Sequence, residues 1–438
     1  MTNQITRREA LQATAAIGAG LWLGVSTSRT RAASANEKLN VAVIGVGGRG
    51  RANLNPIAKT ENIVALCDVD DKRAGNAYER FPEAKKFYDF RRMLDETENL
   101  IDAVVVNTPD HLHFHPSMMA MEMGKHLYCE KPMAHSVWEV RQMTELAKKN
   151  NLATQLGMQR HAYDNMHRIT ELIQTGAIGD VSAVHSWVDG ERGMPALPKH
   201  SSPVPAHLKW DLWIGPAKFR PYAEYKPGEG VIAPYNWRFW WDYGTGETGN
   251  WGCHILDIPF TALDLKYPTR VDASGPPVDK QLASKSMTTR FEFPANQQRP
   301  AVELHWYHTK NGPPVLKEHG LSAKGSNTLF IGSKGMLLCG FGSRKLLPEK
   351  SFENFQAPER SVPDSPGFHQ EWTDACKGGE PATCHFAYSG PLAETVLLGN
   401  TAYRAESGFD WNAATLSTNG NSQVQDLIRT SYRKGWEV

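Results

Sequence analysis

The sequence has almost no net charge, few cysteines and no apolar run long enough to cross a bilayer. Lys and Arg number 48 and Asp and Glu number 47 among 438 residues, and this balance gives no electrostatic footprint for nucleic acid. The six cysteines are too sparse for a disulfide framework and lie mostly in apolar runs, which predicts buried thiols. A composition of 40% apolar and 22% charged residues excludes disorder, collagen and coiled coil. The length predicts two domains of about 150–250 residues each.

The first 35 residues have the pattern of an export signal. Arg7-Arg8 precede a short run, Ala10–Val25, that is too polar to span a membrane, and Ala33-Ser34-Ala35 supplies a small-residue cleavage pattern. The segment around the two arginines resembles a twin-arginine signal, which exports folded proteins. An ordinary secretion signal that contains two arginines is the alternative. We therefore expect a signal peptide at residues 1–35, a mature chain that begins at Asn36, and a periplasmic or otherwise exported protein without a stable membrane anchor.

The region that follows, residues 36–157, alternates short apolar runs with helical stretches. Such alternation predicts a doubly wound parallel sheet of the Rossmann type, with strands buried on both faces. Ser136-Val137-Trp138-Glu139 is a capping box that predicts the start of the last helix. The predicted strands are Asn40–Ile44, Ile63–Cys67, Ala103–Val106 and Leu127–Cys129, and the predicted helices are Arg51–Lys59, Asp71–Arg80, Pro116–Met123 and Val137–Lys149.

Residues 158–438 have a different texture and form the predicted substrate-binding and oligomerisation domain. Residues 191–236 contain eight of the 27 prolines, which predicts a long irregular stretch of the kind that often carries function. Segments with alternating polarity predict antiparallel strands with one buried face. The predicted strands are Val181–Val188, Met287–Phe293, Val302–Tyr307 and Thr328–Ile331, and the predicted helices are Tyr163–Gln174, Pro391–Arg404 and Gln423–Arg433.

The first predicted strand runs directly into Gly45-Val46-Gly47-Gly48-Arg49-Gly50, a G-x-G-x-x-G motif between a strand and a helix. Glycines at these positions permit a tight turn, close approach of a pyrophosphate and close helix–strand packing, and the helix N-terminus favours the phosphate charge. Asp68 ends the second strand 18 residues after Gly50, where a carboxylate accepts hydrogen bonds from ribose hydroxyls. These features predict NAD binding, and Lys72 and Arg73 lie close enough to receive the extra phosphate of NADP. A glycine-rich turn in an unrelated α/β protein is the alternative.

Three further motifs resemble the glucose–fructose oxidoreductase and inositol dehydrogenase (Gfo/Idh/MocA) family. They are Asn107-Thr108-Pro109-Asp110-His111, Glu130-Lys131-Pro132 and Gly252-Cys253-His254-Ile255-Leu256-Asp257. The resemblance implies an N-terminal Rossmann domain and a C-terminal α/β domain with a large, open, mainly antiparallel sheet. It implies a sugar or cyclitol substrate between that sheet and the nicotinamide, and a dimer or tetramer paired through the open sheet face.

The resemblance also implies catalytic roles. Lys131 matches the family's lysine near the reacting hydroxyl, and His254 matches its histidine general base. The family usually has Asp four residues before this histidine, whereas this sequence has Asn250, which carries no charge to assist proton transfer. The identity of the base is therefore open between His254 and Lys131.

Two sets of candidate binding residues complete the prediction. The cofactor set is Gly45, Gly47, Gly48, Arg49, Gly50, Asp68, Asn107, Thr108, Pro109, His111, Glu130 and Lys131. The substrate set is His113, Gln159, Arg160, Asp257 and Trp237. Three of the substrate candidates also have a structural interpretation. Arg160 could pair with a surface carboxylate, Asp257 could be a capped structural acid, and Trp237, like many of the tryptophans, could fill a core. His111, His113 and His115 alternate as metal ligands on a strand would, but Pro116 places them in a strand–helix loop, so we expect a cofactor-facing loop and no metal.

The leading interpretation is an exported NAD(P)-dependent oxidoreductase that transfers hydride from a secondary alcohol of a sugar. Because free NAD is scarce outside the cytoplasm, we expect the cofactor to be tightly bound. A second interpretation is a glycosidase that uses bound NAD transiently, by oxidation at C3 and elimination; its exported relatives vary the E-K-P triplet, which is intact here. A third is a non-catalytic NAD-binding sensor, for which an inactive combination at Lys131 and His254 would be expected.

Overall fold

The computed structural model describes residues 37–194, 200–226, 228–310 and 312–437. The signal peptide expected at residues 1–35 and the expected mature start at Asn36 lie outside these ranges. Two sheets belong to the same compact unit. All six cysteines are free and buried, as predicted. No helix within the described ranges is long and apolar enough to cross a membrane.

The N-terminal sheet is parallel throughout, and its six strands follow the order β3-β2-β1-β4-β5-β6. This order places the carboxyl ends of β1 and β4 at the topological switch point, where open α/β sheets bind ligands. The strands are β1 Asn40–Ile44, β2 Asn62–Cys67, β3 Lys85–Phe87, β4 Ala103–Val106, β5 His126–Cys129 and β6 Thr154–Leu156. The helices are α1 Arg49–Ile57, α2 Asp71–Arg80, α3 Phe90–Thr97, α4 Phe114–Glu122 and α5 Val137–Lys149, with a 3₁₀ turn at Asp110–Leu112. The predicted Rossmann domain is confirmed.

Local sequence explains the ends of these helices. The capping box is formed: the Ser136 hydroxyl accepts from the Glu139 amide while the Glu139 carboxylate accepts from the Ser136 amide. Asp70 caps α2 through the Arg73 amide, and Asp89 caps α3 through the Arg91 amide. Pro56 is accommodated within α1 one residue before its end.

The C-terminal domain is built on an eight-stranded sheet of order β15-β14-β13-β7-β12-β11-β10-β16. Its strands pair antiparallel except β7 with β12, so the expectation of a mainly antiparallel sheet is confirmed. The strands are β7 Val181–Asp189, β10 Arg270–Ser274, β11 Met287–Phe293, β12 Val302–Thr309, β13 Thr328–Gly332, β14 Gly335–Cys339, β15 Arg344–Leu347 and β16 Phe409–Asp410, and a separate hairpin pairs β8 Glu224–Lys226 with β9 Glu229–Gly230.

Helices surround this sheet, and several of them join it to the Rossmann domain. They are α6 Asp164–Gln174, α7 Trp210–Ile214, α8 Cys253–Ile255, α9 Asp257–Leu263, α10 Val315–Glu318, α11 Phe368–Cys376, α12 Phe386–Arg404 and α13 Ser422–Ile428, with a π-helical turn at Thr248–Gly252 and 3₁₀ turns at Gln159–Ala162, Asn236–Phe239 and Glu349–Phe352. The Arg141 guanidinium on α5 forms a bidentate ion pair with Glu394 on α12, both distances being 2.8 Å. This pair connects the two domains through their helices.

A mostly irregular segment crosses from the second domain to the first. We call residues 200–226 and 228–245 the covering segment. Its backbone bonds to the Rossmann domain: the Lys209 amide donates to Val69 O at 2.8 Å, and the Asp71 amide donates to His207 O at 3.0 Å. The prediction of a long irregular stretch here is therefore confirmed, and the stretch lies over the carboxyl end of β2.

Several predicted bounds were wrong by a few residues. The helix predicted at Pro391–Arg404 begins earlier, at Phe386, and contains Pro391 in its interior. The helix predicted at Gln423–Arg433 ends at Ile428. Many further elements were not predicted: the strands β3, β6, β8, β9, β10, β14, β15 and β16, and the helices α3 and α7 to α11. They are short or lack a strong periodic pattern, so tertiary packing decides them.

Candidate active site

A cleft of about 530 Å³ lies at the carboxyl ends of β1, β2, β4 and β5, beneath the covering segment. Most of the predicted cofactor residues line it. The lining predicted from the sequence comprises Gly45, Gly47, Gly48, Arg49, Asp68, Asn107, Thr108, Pro109, Glu130, Lys131, Gln159, Trp237, Asn250 and His254. The cleft therefore brings the three candidate catalytic residues to the same place as the glycine-rich turn.

The glycine-rich turn is shaped for close approach. Gly45 has φ +78°, and a Cβ at Gly50 would lie 1.8 Å from Gly45 O, so no larger residue fits at Gly50. The turn leads into the N-terminus of α1, which favours a phosphate charge. Gly50 itself does not line the cleft, and its part is to let helix and strand pack closely. This arrangement fits the pyrophosphate of a dinucleotide.

Asp68 lies where the ribose of a dinucleotide would be read, at the end of β2. Its Oδ2 accepts from the amides of Val46 (2.9 Å) and Gly47 (3.2 Å), and its Oδ1 accepts from the Asp70 amide (3.0 Å). The carboxylate therefore holds the glycine-rich turn in addition to lining the cleft. Arg73 also lines the cleft, beside Gly48.

Glu130 is a buried carboxylate that accepts hydrogen bonds from three side chains around the cleft. Its Oε1 accepts from Arg49 Nε (2.9 Å), Asn53 Nδ2 (2.8 Å) and Gln159 Nε2 (2.9 Å). Burial opposes its ionisation, but Arg49 and Asn53 outweigh burial and lower the pKa of Glu130 to about 2. A permanently charged Glu130 thus orients three side chains, including the predicted substrate contact Gln159.

Lys131 is held by Asn250. Its Nζ donates to Asn250 O at 2.7 Å and to Asn250 Oδ1 at 2.9 Å. Burial, and then the neighbouring charge of Arg238, lower the pKa of Lys131. Asn250 Nδ2 in turn donates to Glu247 at 3.3 Å, and Glu247 is ion-paired with Arg192. The lysine is therefore positioned by a neutral amide whose other end contacts a buried carboxylate.

His254 lines the cleft on the π-helical side. Its Nδ1 is buried and has no hydrogen-bond partner within the described residues. Burial and the charge of Lys131 keep the pKa of His254 well below its usual value. The imidazole is therefore neutral at physiological pH.

The structure does not bring His111 and His113 to the cleft, so the expectation of a cofactor- or substrate-facing pair is corrected. His111 is buried between Trp213 O (3.0 Å) and Tyr243 O (3.2 Å), and burial lowers its pKa to about 3. The His113 ring contacts Pro132 O and Thr108 O at 2.6 and 2.7 Å. Both imidazole rings hydrogen-bond to backbone carbonyls of the loops around the cleft. The described residues contain no group of three or more candidate metal ligands.

Two further substrate candidates lie away from the cleft. Arg160 stacks over the rings of Phe341 (4.3 Å) and Trp251 (5.1 Å). Asp257 is buried against His161 Nδ1 at 3.0 Å and accepts from the Tyr388 hydroxyl. Burial disfavours a charged imidazole there, but Asp257 outweighs it and raises the pKa of His161 well above its usual value. Asp257 thus has His161 and Tyr388 as partners in the interior.

Apart from Trp237, sequence reasoning missed the lining supplied by the covering segment. Leu212, Trp213, Tyr235 and Arg238 line the cleft from this segment, and Trp436 reaches it from the C-terminal end of the chain. Arg238 stacks over the rings of Trp237 and Tyr235, at 4.4 and 5.2 Å. The irregular stretch itself was the available signal, because long irregular stretches in compact domains are often functional.

The fold and the cleft define a dinucleotide-binding protein of the Rossmann class. The features that do so are the parallel sheet with this strand order, its glycine-rich turn and the cleft at its switch point. Residues 39–158 match the sequence model of the Gfo/Idh/MocA "oxidoreductase family, NAD-binding Rossmann fold". Residues 178–294 match the model of its "C-terminal alpha/beta domain". The chain belongs to this NAD-binding oxidoreductase family, and the family resemblance found in the sequence is confirmed.

Curated relatives resemble part of the chain. An uncharacterized oxidoreductase of Streptococcus pneumoniae is 37% identical over 107 residues, 24% of this chain and 29% of that protein. Inositol 2-dehydrogenase of Rubrobacter xylanophilus is 30% identical over 157 residues, covering 35% and 44% of the two chains. Levoglucosan dehydrogenase of Pseudarthrobacter phenanthrenivorans is 27% identical over 157 residues, covering 33% and 39%. The matches thus span less than half the length of these relatives.

Solved structures share the fold over most of the chain. The WlbA dehydrogenase from Bordetella pertussis, in complex with NADH and UDP-GlcNAcA, aligns with a TM-score of 0.59 at 14% identity, covering 86% of this chain and 99% of that one. Aldose–aldose oxidoreductase from Caulobacter crescentus, complexed with glycerol, aligns with a TM-score of 0.55 at 17% identity, covering 85% and 100%. At these identities the likeness establishes the two-domain fold.

Proposed function

We propose that the protein is an NAD-dependent oxidoreductase that transfers hydride from a secondary alcohol of a sugar or related polyol to the nicotinamide. The observation that carries this proposal is the convergence of Lys131, Asn250 and His254 in the same cleft as the glycine-rich turn and Asp68. Relatives named inositol 2-dehydrogenase and levoglucosan dehydrogenase support a substrate of this class.

The residues of this chain divide the chemistry between them. Oxidation of the alcohol removes a proton from the hydroxyl and a hydride from its carbon, and bound NAD supplies the hydride acceptor. His254 takes the proton, because its lowered pKa keeps the imidazole neutral. The Lys131 ammonium stabilises the developing alkoxide, and Asn250 fixes the direction of its Nζ.

The cofactor of the proposal is NAD, which stays bound between turnovers. Asp68 faces the ribose position and repels the extra phosphate of NADP, whereas Arg73 at the same end would attract it. The balance therefore depends on two neighbouring charges of opposite sign. Retention follows from the covering segment, which lies over the cleft.

A two-stage experiment tests the function. The purified protein is denatured and its small molecules are analysed by mass spectrometry, with NAD or NADH as the expected finding. The protein is then mixed with a panel of sugars and polyols, and reduced nicotinamide is followed by absorbance at 340 nm. A protein that neither contains nor binds a nicotinamide dinucleotide would overturn the proposal.

We also propose that the protein is exported and that it forms a homo-oligomer. The twin-arginine pattern at Arg7-Arg8 supports export of the folded protein to the periplasm or beyond, and a route for folded proteins lets cofactor load first. The eight-stranded sheet supports a homodimer or homotetramer, in the manner that the family resemblance implies. Light scattering of the purified protein measures the number of subunits, and a monomer would contradict the assembly.

A further inference from the structure

The reaction end of the cleft holds two cations, Lys131 and Arg238, that form no ion pair within the described residues. Lys131 has only the neutral amide and carbonyl of Asn250 as hydrogen-bond partners among the described residues. Glu247, behind Asn250, is engaged by Arg192. The lysine charge is therefore balanced by no directly bonded carboxylate.

Arg238 adds a second cation beside it. Its guanidinium lies over the Trp237 and Tyr235 rings, and its charge is close enough to help lower the pKa of Lys131. Its Nε is buried and has no hydrogen-bond partner, and Arg238 forms no ion pair within the described ranges. A buried donor without a partner costs free energy, and no carboxylate of the described residues pairs with this guanidinium.

The acids that line the cleft form their hydrogen bonds with other residues, while the charges of Glu130 and Asp110 still act on Lys131 from a distance. Each carboxylate accepts hydrogen bonds from its own neighbours: Asp68 from three backbone amides, Asp70 from the Arg73 amide, Asp89 from Arg91, Asp110 from Thr245 and Glu130 from Arg49, Asn53 and Gln159. None of these five bonds to Lys131 or Arg238. An oxidised nicotinamide would add a further positive charge at this end.

We propose that the natural substrate of this site is an anionic sugar, one bearing a carboxylate or phosphate group that Arg238 binds while Lys131 and His254 act on a hydroxyl. This inference rests on the proposed function. A guanidinium that lies over aromatic rings and forms no ion pair can bind a planar oxyanion through its terminal N–H groups. Arg238 is then a specificity-determining residue supplied by the covering segment.

The test measures binding to the NADH-loaded protein, which separates recognition from turnover. Isothermal titration compares glucose with glucuronate and glucose 6-phosphate, and galactose with galacturonate. We expect an anionic sugar to bind at least about tenfold more tightly than its neutral counterpart, and the preference to weaken as salt is raised. A preference confined to the uronates identifies a carboxylate, and one confined to the 6-phosphate identifies a phosphate.

Variants assign the preference to Arg238. Arg238→Gln should remove most of the preference with NADH affinity unchanged, and Arg238→Lys should retain part of it. The matched control is Arg220→Gln: Arg220 also belongs to the covering segment and lies over Trp240, but it pairs with Asp242 and does not line the cleft. The control should keep the preference.

Three outcomes overturn the inference. Equal or tighter binding of neutral sugars contradicts an anionic substrate. A loss of NADH affinity in Arg238→Gln assigns the arginine to the cofactor phosphates instead. Failure of every sugar to bind overturns the inference together with the sugar class of the proposed function, whereas hydride transfer from neutral sugars alone leaves the proposed function standing.

Discussion

At the scale of single residues, Asn250 couples Lys131, the proposed catalytic lysine, to the rest of the protein. Its side-chain oxygen accepts from Lys131, and its side-chain nitrogen donates to Glu247, so the amide has one orientation that satisfies both neighbours. An aspartate at this position would hold the lysine by charge. The asparagine orients the ammonium through hydrogen bonds and does not neutralise it, so the positive charge of Lys131 remains available to the substrate.

Removing either proposed catalytic group should abolish most turnover but leave NAD binding intact. A positioned proton-transfer group contributes about 10²–10⁴-fold, so His254→Ala should lose at least that factor in kcat. Lys131→Met should lose a similar factor, because it keeps the length of the side chain and deletes its charge. Lys148→Met, an exposed lysine on α5, is the control. Steady-state rates on a responsive sugar, with cofactor saturation verified, make the comparison. A near-normal rate in His254→Ala would move the base to Lys131.

Asn250→Asp should shift the pH profile of turnover upward. A carboxylate at this position raises the pKa of His254 and of Lys131, both of which burial lowers in the native protein. His254 acts as a base only when neutral, so raising its pKa moves the acid limb of the profile to higher pH. Rates measured from pH 5 to 10 test this. Asn250→Ala, which adds no charge, should show no upward shift, and an unchanged profile in Asn250→Asp would contradict the assignment.

Asp68→Ala should change the ratio of NAD to NADP affinity. Loss of hydrogen bonds to the ribose costs NAD about 2–4 kcal/mol, while loss of the negative charge relieves repulsion of NADP. Asp68 also supports Val46 and Gly47, and damage to that turn would weaken both cofactors alike. The affinity ratio, measured by fluorescence titration, is therefore the informative quantity. Arg73→Ala should move the ratio in the opposite direction. An unaltered ratio in Asp68→Ala would mean that this carboxylate does not read the ribose.

At the scale of secondary-structure elements, the ion pair between α5 and α12 fixes the two domains together. Glu394 is fully buried, so Arg141→Met strands a carboxylate in the interior and should cost about 3–5 kcal/mol of unfolding free energy. The double variant Arg141→Met/Glu394→Met should recover much of that loss, because no unpaired charge remains. Denaturant unfolding of the two single variants and the double variant gives the coupling. Additive losses would show that the pair does not act as a unit.

The sequence predicted those elements best whose local pattern agrees with their final environment. The strands Asn40–Ile44 and Ala103–Val106 and the helix Val137–Lys149 match the prediction residue for residue, because continuous apolar runs and a capping box decide them. The G-x-G-x-x-G turn and Lys131 were likewise found from local motifs. The pairing of β7 with β12 in parallel had no local signal.

The missed or misplaced site residues depend on contacts that are distant in the sequence. Arg238 lies in a proline-rich stretch without periodicity, and only folding brings it beside Lys131. The alternating histidines indicated a functional loop, but the direction of His111 is set by carbonyls of Trp213 and Tyr243, far along the chain. Motifs reveal residue types, whereas side-chain direction depends on what packs around them.

At the scale of the whole molecule, the N-terminal arginines should determine where the protein works. Replacing both, Arg7→Lys with Arg8→Lys, should block export, and the exported wild-type chain should begin at Asn36. N-terminal sequencing of exported material and fractionation of the variant check the two statements. Normal export of the double-lysine form would assign the segment to an ordinary secretion route.

The covering segment has a kinetic consequence. Its backbone bonds to Val69 and Asp71 hold the segment against the end of β2, beside the cofactor cleft. With the proposed cofactor held beneath this segment, we expect the dissociation rate constant to be limited by a local opening that breaks these bonds rather than by the strength of cofactor contacts. Each reduced cofactor would then be reoxidised where it sits, by a second substrate that enters the same cleft.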